Sequence, residues 1–371
     1  MYKIFAINPG STSTKIAMFE DETCILKEDV NHAAEELAKY DTISEQLPYR
    51  VETIKKAMDA AGISFEGTNA FVGRSGATYS LPSGTYLIDE RVMSDTINMV
   101  GGVEHPANLG CQIANMLMEE FGGKAYIAAD PEVDEFQDLA RVTGLKNVYR
   151  KSRLHSLNMK ETAIRHSNTY GKPYEDCNYV VCHIGGGVSV SAHRKGLMID
   201  GTDIAGGEGP MAPTRCGTID AATIIRMCYS GDYTERDMMM KTIKTGGFVD
   251  IFGTSDAKAV ADKAIAGEMP YRIYWDGMIY QIIKYIGSMA AVLGGSVDAI
   301  LLGGGIVRNK DLVKQITNAC SFIAPIYDYP GEFEMEGMAA GALRVLTGKE
   351  EAKIYTGQPV WTPKSFGINC D

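Results

Sequence analysis

Residues 5–21, FAINPGSTSTKIAMFED, place a strand-like apolar run on either side of six small or turn-forming residues, PGSTST. A tight β-hairpin needs only two turn residues, so six indicate a loop that wraps around a ligand. Glycine lets a ligand approach the backbone closely, and hydroxyl side chains add hydrogen-bond donors. The stretch therefore predicts a loop that binds a small, acceptor-rich group such as phosphate. Its candidate ligand-binding residues are Asn8, Gly10, Ser11, Thr12 and Ser13.

The same pattern returns about half a chain later. Residues 178–202, NYVVCHIGGGVSVSAHRKGLMIDGT, again read as strand, small turn, strand, tight turn and strand, and this repetition predicts a duplicated domain. A third glycine cluster follows a buried strand in residues 297–309, VDAILLGGGIVRN. Three loops rich in exposed backbone N–H groups predict a nucleotide phosphate site. Its further candidates are His183, Gly185, Gly186, Gly187, Gly303, Gly304 and Gly305.

Composition excludes several other classes of function. The chain has 371 residues and a formal net charge of −11, which argues against a general nucleic-acid or anionic membrane surface. No apolar run has transmembrane length, and the eight cysteines show no CxxC pair, so we expect a cytoplasmic protein with reduced thiols. The sequence contains no GxxxxGK[ST] and no GxSxG motif, and GGGIVR is not GxGxxG.

Ordered motifs along nearly the whole chain resemble the acetokinase family of the actin-like ATPase superfamily, and its butyrate kinase branch in particular. They are INPGSTSTK, FVGRSGATY, EHPANLG, AADPEVDE, RLHSLN, HIGGGVSVSAHRKG, APTRCGTID, LLGGGIVRN and MEGMAAGALR. The resemblance implies an α/β fold with two duplicated RNase H-like domains and a central cleft. We expect residues 1–154 plus 334–371 to form an acyl- and metal-site domain with a returning C-terminal helix. Residues 155–333 would form the nucleotide-binding domain.

Two arginines are candidate cations for the reacting anions. Arg74 follows the strand NAFVG among small residues, and Arg215 lies in a loop framed by proline and glycine. Arginine gives planar, bidentate contacts to oxyanions. The alternatives are a surface arginine for Arg74 and a loop salt bridge with Asp220 for Arg215. The resemblance assigns both arginines to catalysis.

The resemblance also implies roles for residues that would otherwise read as solvated or structural. It makes His155 a group that stabilises the transition state and His105 a second active-site histidine, whereas for His183 a structural role is an equal alternative. It places an active-site carboxylate at Asp130 and an asparagine of the adenosine loop at Asn309. The expected Mg²⁺ ligands are Glu336 and Asn8, with Glu334 as an alternative to Glu336.

These groups suit a carboxylic acid better than an alcohol as phosphoryl acceptor. A fatty acid is already ionised at neutral pH, so no general base is needed. We therefore expect reversible, ATP- and Mg²⁺-dependent phosphorylation of a short-chain acid, butyrate or a branched-chain analogue, by direct in-line transfer. The alternatives are an acetate or propionate kinase and a non-catalytic actin-like switch. Small residues after Arg74 predict an acyl pocket at Gly76, and the resemblance implies a homodimer or larger homo-oligomer.

Overall fold

A computed structural model describes residues 1–74, 76–102, 105–129 and 132–367. The strands are β1 Lys3–Pro9, β2 Ser13–Glu20, β3 Thr23–Asn31, β4 Ala70–Arg74, β5 Thr85–Leu87, β6 Lys124–Ala128, β7 Asn178–Ile184, β8 Val188–Arg194, β9 Leu197–Gly201, β10 Ala299–Gly304 and β11 Ile326–Pro330. The α-helices are α1 Ala34–Leu37, α2 Leu47–Ala60, α3 Glu90–Ile97, α4 Leu109–Phe121, α5 Asp138–Arg141, α6 Ser156–Tyr170, α7 Ala221–Cys228, α8 Glu235–Ile243, α9 Phe248–Phe252, α10 Ala257–Ile265, α11 Tyr271–Val292, α12 Lys310–Cys320 and α13 Glu334–Leu346. Short 3₁₀ helices span Ser44–Gln46, Pro106–Asn108, Tyr174–Asp176, Gly305–Arg308 and Pro363–Phe366.

The first sheet has the strand order β3-β2-β1-β4-β6-β5. Strands β1 to β3 pair antiparallel, as the short connecting loops predict, and β1, β4 and β6 run parallel. The register pairs Ile7 of β1 with Gly73 of β4, so both strands end at the same edge of the sheet. The loop between β1 and β2 and the residue that ends β4, Arg74, therefore lie at one edge.

The second sheet repeats this arrangement. Its order is β11-β10-β7-β8-β9, so a three-stranded antiparallel meander is again followed by parallel strands on the side of its first strand. Strands β1-β2-β3-β4-β6 of the first sheet correspond to β7-β8-β9-β10-β11 of the second. The predicted duplication of the domain is confirmed at the level of topology.

Each sheet is covered by helices that its own segment supplies. In the first unit, α4 packs closely on β4, because Gly73 and Gly110 leave room: a Cβ at Gly73 would lie only 2.1 Å from Gly110 O. In the second unit, α11 packs on β7 and β8, and its Trp275, Ile279 and Ile282 are fully buried. The close contact of α4 with β4 fixes the backbone of Gly73 and Arg74.

The chain divides into two compact units, residues 1–134 plus 333–371 and residues 135–332. The predicted domain boundary after residue 154 differs from this division, because residues 135–154 are tied to β9. Gln137 N donates to Ile199 O at 2.9 Å, and Arg150 bonds Asp200 Oδ1 at 2.9 Å and Gly201 O at 2.6 Å. The C-terminal helix α13 packs against β1 and β4 of the first unit.

Helix α6 ends at Gly171, which takes the left-handed conformation common at helix ends. Its N-cap position is His155, which makes no capping hydrogen bond with its side chain, and Ser156 and Asn158 are buried within the helix. Within the described ranges, no helix combines the length and the apolar character that crossing a membrane requires.

Candidate active site

In the first unit, the ends of β1 and β4 bring Asn8 and Arg74 together. Arg74 Nη1 lies 3.5 Å from Asn8 Oδ1, and the Asn8 side chain is buried. The two strands are parallel neighbours, so their carboxyl ends present these polar groups at one edge of the sheet. Arg74 is only partly exposed and faces other polar groups, so it differs from an ordinary surface arginine.

The carboxylate that joins this cluster is Glu334, not Glu336. Glu334 Oε2 accepts a hydrogen bond from Asn8 Nδ2 at 2.8 Å and lies 3.8 Å from Arg74 Nη1. Glu336 Oε1 instead pairs with Lys27 Nζ of β3 at 2.8 Å. Both acids lie in the first turn of α13, and two residues along a helix point in different directions. The structure therefore brings together the alternative carboxylate rather than the one first expected.

His105 precedes the 3₁₀ helix 106–108, and its ring caps that helix. Its Nδ1 accepts a hydrogen bond from Ala107 N at 3.1 Å, so in the neutral ring the proton is on Nε2. Desolvation by the surrounding protein, and then the positive charges of Arg74 and Arg50, lower the pKa of His105 below its ordinary value. His105 is therefore a neutral Nε2–H donor at neutral pH, and its side chain remains accessible to a ligand.

Two expectations for the first unit have different outcomes. Asp130 lies outside the described residues, so its role stays a prediction. Gly76 has a packing reason of its own, because a Cβ there would lie 2.4 Å from Asn108 Oδ1 and 3.1 Å from Asn108 N. Asn108 occupies the space into which a side chain at position 76 would point. A larger residue at Gly76 would displace Asn108, so substitution here does not test the size of an acyl pocket.

In the second unit, the two glycine clusters lie side by side. Strands β7 and β10 are parallel neighbours, with His183 in register with Gly303. Gly304 has a φ of +101°, and a Cβ on it would lie 2.3 Å from Ile184 O, so only glycine allows this close approach. The loops at 185–187 and 303–305 thus form one surface at the carboxyl ends of adjacent strands, the position where open α/β sheets bind ligands.

Arg215 lies directly against the first of these loops. A Cβ at Gly187 would lie 1.6 Å from Arg215 Nη1, so the guanidinium occupies the space beside that glycine. Arg215 Nε and Nη1 are buried and have no hydrogen-bond partner in the described part of the chain. Desolvation lowers the pKa of Arg215, although the carboxylate of Asp203 opposes this shift. A buried guanidinium with unused donors is a site for an anion.

The alternative of a salt bridge between Arg215 and Asp220 is wrong. Among the described residues Arg215 forms no ion pair, and Asp220 caps α7 by accepting a hydrogen bond from Thr223 N at 2.9 Å. The loop that carries Arg215 is anchored to the glycine loop, because Thr214 N and Oγ1 both donate to Gly186 O, at 3.2 and 2.8 Å. The two loops therefore form one structural element.

Two histidines of the second unit, His155 and His183, stack on each other. The rings of His155 and His183 lie 4.0 Å apart at an interplanar angle of 18°. His155 Nδ1 is hydrogen-bonded to Ser189 Oγ of β8 at 2.8 Å, which fixes the orientation of its ring. His183 is buried, and its Nε2 lies beside Gly185. The structure thus brings His155, His183 and the loop at 185–187 together, and their roles in catalysis stay predictions.

Asn309 follows the third glycine cluster and caps α12. Its Oδ1 accepts a hydrogen bond from Leu312 N at 3.1 Å, so the side chain has a structural task there. A role of Asn309 towards adenosine stays a prediction.

The glycine loop offers a matched pair of substitutions. We expect Gly187→Ala to displace the Arg215 guanidinium and to reduce turnover by about 10²-fold, the effect of losing one preorganised donor. At Gly186, an added Cβ meets no protein atom within 4 Å. Gly186→Ala should therefore keep the wild-type melting temperature, and any loss in ATP affinity would report contact between the new methyl group and the nucleotide. Steady-state kinetics and thermal melts of both variants check this, and equal kinetics of Gly187→Ala and wild type would contradict it.

Comparison with known proteins agrees with this architecture. The solved structure of acetate kinase from Porphyromonas gingivalis matches 94% of the chain and 100% of its own length, with a TM-score of 0.77 at 18% sequence identity. The chain therefore has the actin-like ATPase fold of that enzyme, and the predicted fold class is confirmed.

Sequence comparison gives the family. Residues 144–325 match the model of the acetokinase family. Butyrate kinase 2 of Clostridium acetobutylicum is 45% identical over 95% of this chain and 99% of its own length. Butyrate kinase 1 of the same organism is 41% identical over 96% of the chain and 100% of its own length. The chain belongs to the acetokinase family, as its motifs indicate.

Proposed function

We propose that the chain transfers the γ-phosphoryl group of ATP to the carboxylate of a short-chain fatty acid, butyrate or a branched-chain analogue. The products are ADP and an acyl phosphate, and the reaction is reversible. The observation that carries the proposal is that two buried guanidinium nitrogens of Arg215, Nε and Nη1, lie against the glycine loop at 185–187 without a hydrogen-bond partner among the described residues. The names of the relatives, butyrate kinase in both cases, support the choice of acid.

The chemistry of the proposed reaction suits the residues present. A carboxylate oxygen attacks the γ-phosphorus, the bond from that phosphorus to the β,γ-bridging oxygen breaks, and ADP leaves with that electron pair. The acid is ionised at neutral pH, so no side chain has to remove a proton. The main task is to hold two anions together and to stabilise the charge on the phosphoryl group in flight. Arg74 binds the carboxylate, and Arg215 binds the phosphoryl oxygens.

A neutral histidine can donate a hydrogen bond to the substrate without transferring its proton. The Nε2–H of His105 donates to an oxygen of the substrate, because its Nδ1 is already engaged by Ala107 N. His155 donates to the phosphoryl group in the second unit, in an orientation set by Ser189. Backbone N–H groups of the loops at 10–13 and 185–187 bind the remaining phosphate oxygens. Acyl phosphates hydrolyse, so the reaction also requires that water is excluded from the site.

The residues of the first unit fit a magnesium ion. Mg²⁺ prefers oxygen ligands and commonly takes one or two carboxylates together with water and phosphate oxygens. Glu334 supplies a carboxylate, whose Oε2 accepts a hydrogen bond from Asn8 Nδ2 at 2.8 Å, and Asn8 Oδ1 supplies an amide oxygen. No group of three or more potential metal ligands occurs among the described His, Cys, Asp and Glu side chains, which matches an ion held largely by water and substrate. When bound, Mg²⁺ neutralises charge on the phosphates.

The proposal is tested by trapping the acyl phosphate with hydroxylamine over straight and branched acids from C2 to C6, with ATP and Mg²⁺. We expect acyl hydroxamate to accumulate most rapidly with butyrate or isobutyrate and to require both ATP and the metal. Preference for acetate or propionate would reassign the substrate. ATP binding without product from any of these acids, with folded protein, would contradict the proposal and favour a nucleotide-driven switch. A dimeric or larger assembly and a cytoplasmic location stay predictions.

A further inference from the structure

Arg50 of α2 holds the first glycine loop from behind. Its Nη1 donates to Gly10 O at 3.0 Å and to Thr14 Oγ1 at 3.1 Å, and it lies 3.5 Å from Ser13 O. Arg50 is completely buried. It precedes the buried Val51 in α2, and its position in that helix does not by itself predict a contact with the glycine loop.

A second anchor holds the middle of the same loop. His32 N donates to Thr12 O at 2.8 Å, and His32 Nε2 is hydrogen-bonded to Thr14 Oγ1 at 2.8 Å. Burial, and then the charge of Arg50, lower the pKa of His32 to about 4, so this ring is neutral at neutral pH. Arg50, Thr14 and His32 therefore form one buried network beneath the loop.

This network decides which way the loop amides point. A trans peptide is planar, so its N–H points opposite to its C=O. The Gly10 carbonyl points towards Arg50, and the N–H of Ser11 therefore points away from the protein interior. The Thr12 carbonyl points towards the His32 amide at the end of β3, so the N–H of Ser13 points away from β3. Both amides are thus turned away from the groups that hold the loop, an arrangement that an anion-binding nest can use.

The positive charge of Arg50 has no counter-charge in the described part of the first unit. Its Nε and Nη2 both donate to the neutral Gln46 Oε1, at 3.1 and 3.0 Å, and no carboxylate lies within ion-pair distance of Arg50. Burial lowers the pKa of Arg50 to about 10, so the side chain stays charged at neutral pH. A buried charge is costly without an opposite charge, and an anion bound in the loop would provide one.

We propose that Arg50 is a positioning residue for phosphoryl transfer: it fixes the direction of the Ser11 amide through Gly10 O, and it places behind the loop a positive charge that has no carboxylate partner among the described residues. The ligand of this nest is a phosphate oxygen of the nucleotide or of the transferring group. The inference rests on the proposed function, and it adds to it a residue that contacts the loop rather than the substrate.

The decisive variant is Gln46→Glu, which keeps Arg50 and its hydrogen bonds but places a carboxylate opposite it. If Arg50 acted only as a structural support, this new ion pair would leave catalysis unchanged. The proposal instead expects the pair to neutralise the field behind the loop and to lower kcat/KM for MgATP about tenfold, with KM for butyrate little changed. The melting temperature should be equal to or above that of wild type.

Two variants of Arg50 separate charge from geometry. Arg50→Met removes both and should lower kcat/KM for MgATP by about 10–100-fold, the usual cost of losing a residue that orients a direct ligand. Arg50→Lys keeps the charge and should recover part of that loss. The matched control is Arg141→Met, since Arg141 is also buried, at 3% exposure, and donates to Phe136 O in the other unit. It should lower stability without changing KM for MgATP.

Two measurements that do not require catalysis test the role of Arg50 independently of the proposed reaction. The positive charges of Arg74 and Arg50 both lower the pKa of His105. Imidazole NMR should therefore show a higher pKa for His105 in Gln46→Glu and Arg50→Met than in wild type, and an unchanged one in Arg50→Lys. ATP binding measured by calorimetry should weaken in the first two variants. Failure of wild type to form acyl hydroxamate would remove the proposed function but leave both of these measurements valid.

The proposal would be overturned if Gln46→Glu had the same ATP affinity, the same kcat/KM for MgATP and the same His105 pKa as wild type. If Arg50→Met does not fold, Gln46→Glu still decides the question, because it removes no existing contact from the loop.

Discussion

We expect Arg215→Ala to lower kcat by about 10²–10³-fold, the scale of removing one preorganised donor from a transition state. The guanidinium is buried against Gly187, and its Nε and Nη1 carry no hydrogen bond to the described protein. These donors therefore gain their partner only when an anion enters. ATP binding should change much less than kcat, because the glycine loops at 185–187 and 303–305 supply backbone donors of their own. Hydroxamate formation and ATP calorimetry measure the two effects separately.

Two further variants make this result specific. Arg215→Lys keeps the charge but loses the planar fork, so it should recover only a small part of the activity. Arg226→Ala is the matched control, since Arg226 is an exposed arginine in the last turn of α7 in the same unit. It should behave as wild type. Near-normal kcat for Arg215→Ala would instead mean that the guanidinium serves the packing of its loop.

Much of the fold follows from the sequence because its strongest signals are local. Two copies of a strand–small loop–strand pattern predict two meanders, and both sheets contain them with the same order of strands. The division between the units could not be predicted in the same way. It depends on long-range hydrogen bonds, such as those of Arg150 to Asp200 and Gly201, that leave no periodic trace in the sequence.

The candidate active site could also be predicted only in part from the sequence. Motif positions indicate Asn8 and Arg74 in the first unit, and the glycine loops with Arg215 in the second, because loops at the ends of parallel strands carry their residues to one edge of their own sheet. They do not predict which of two acids in one helical turn faces that edge, since this depends on the rotation of α13 about its axis. They also miss Arg50, whose burial follows from the packing of α2 on the first meander.

The choice between the two acids of α13 gives the second large expected effect. We expect Glu334→Gln to lower kcat/KM by about 10–100-fold and to raise the Mg²⁺ concentration needed for half-maximal rate. The glutamine keeps the shape of the side chain, but it removes the negative charge that lies 2.8 Å from Asn8 Nδ2 and 3.8 Å from Arg74 Nη1. A divalent cation bound as proposed would lose a carboxylate ligand, and Arg74 would lose its ion pair with Glu334.

Glu336→Gln is the matched control, two residues away in the same turn of the helix. Its carboxylate pairs with Lys27, and the two side chains are 22% and 47% exposed, so the ion pair is partly screened by solvent and contributes about 1 kcal/mol to stability. We expect its Mg²⁺ dependence to match wild type, with at most a small drop in melting temperature. Rates measured against Mg²⁺ concentration at saturating ATP and butyrate compare the two variants directly. If Glu336→Gln raised the Mg²⁺ concentration needed for half-maximal rate and Glu334→Gln did not, Glu336 would be the metal ligand. The reason is that a carboxylate changes the affinity for the ion strongly only when it lies next to the ion.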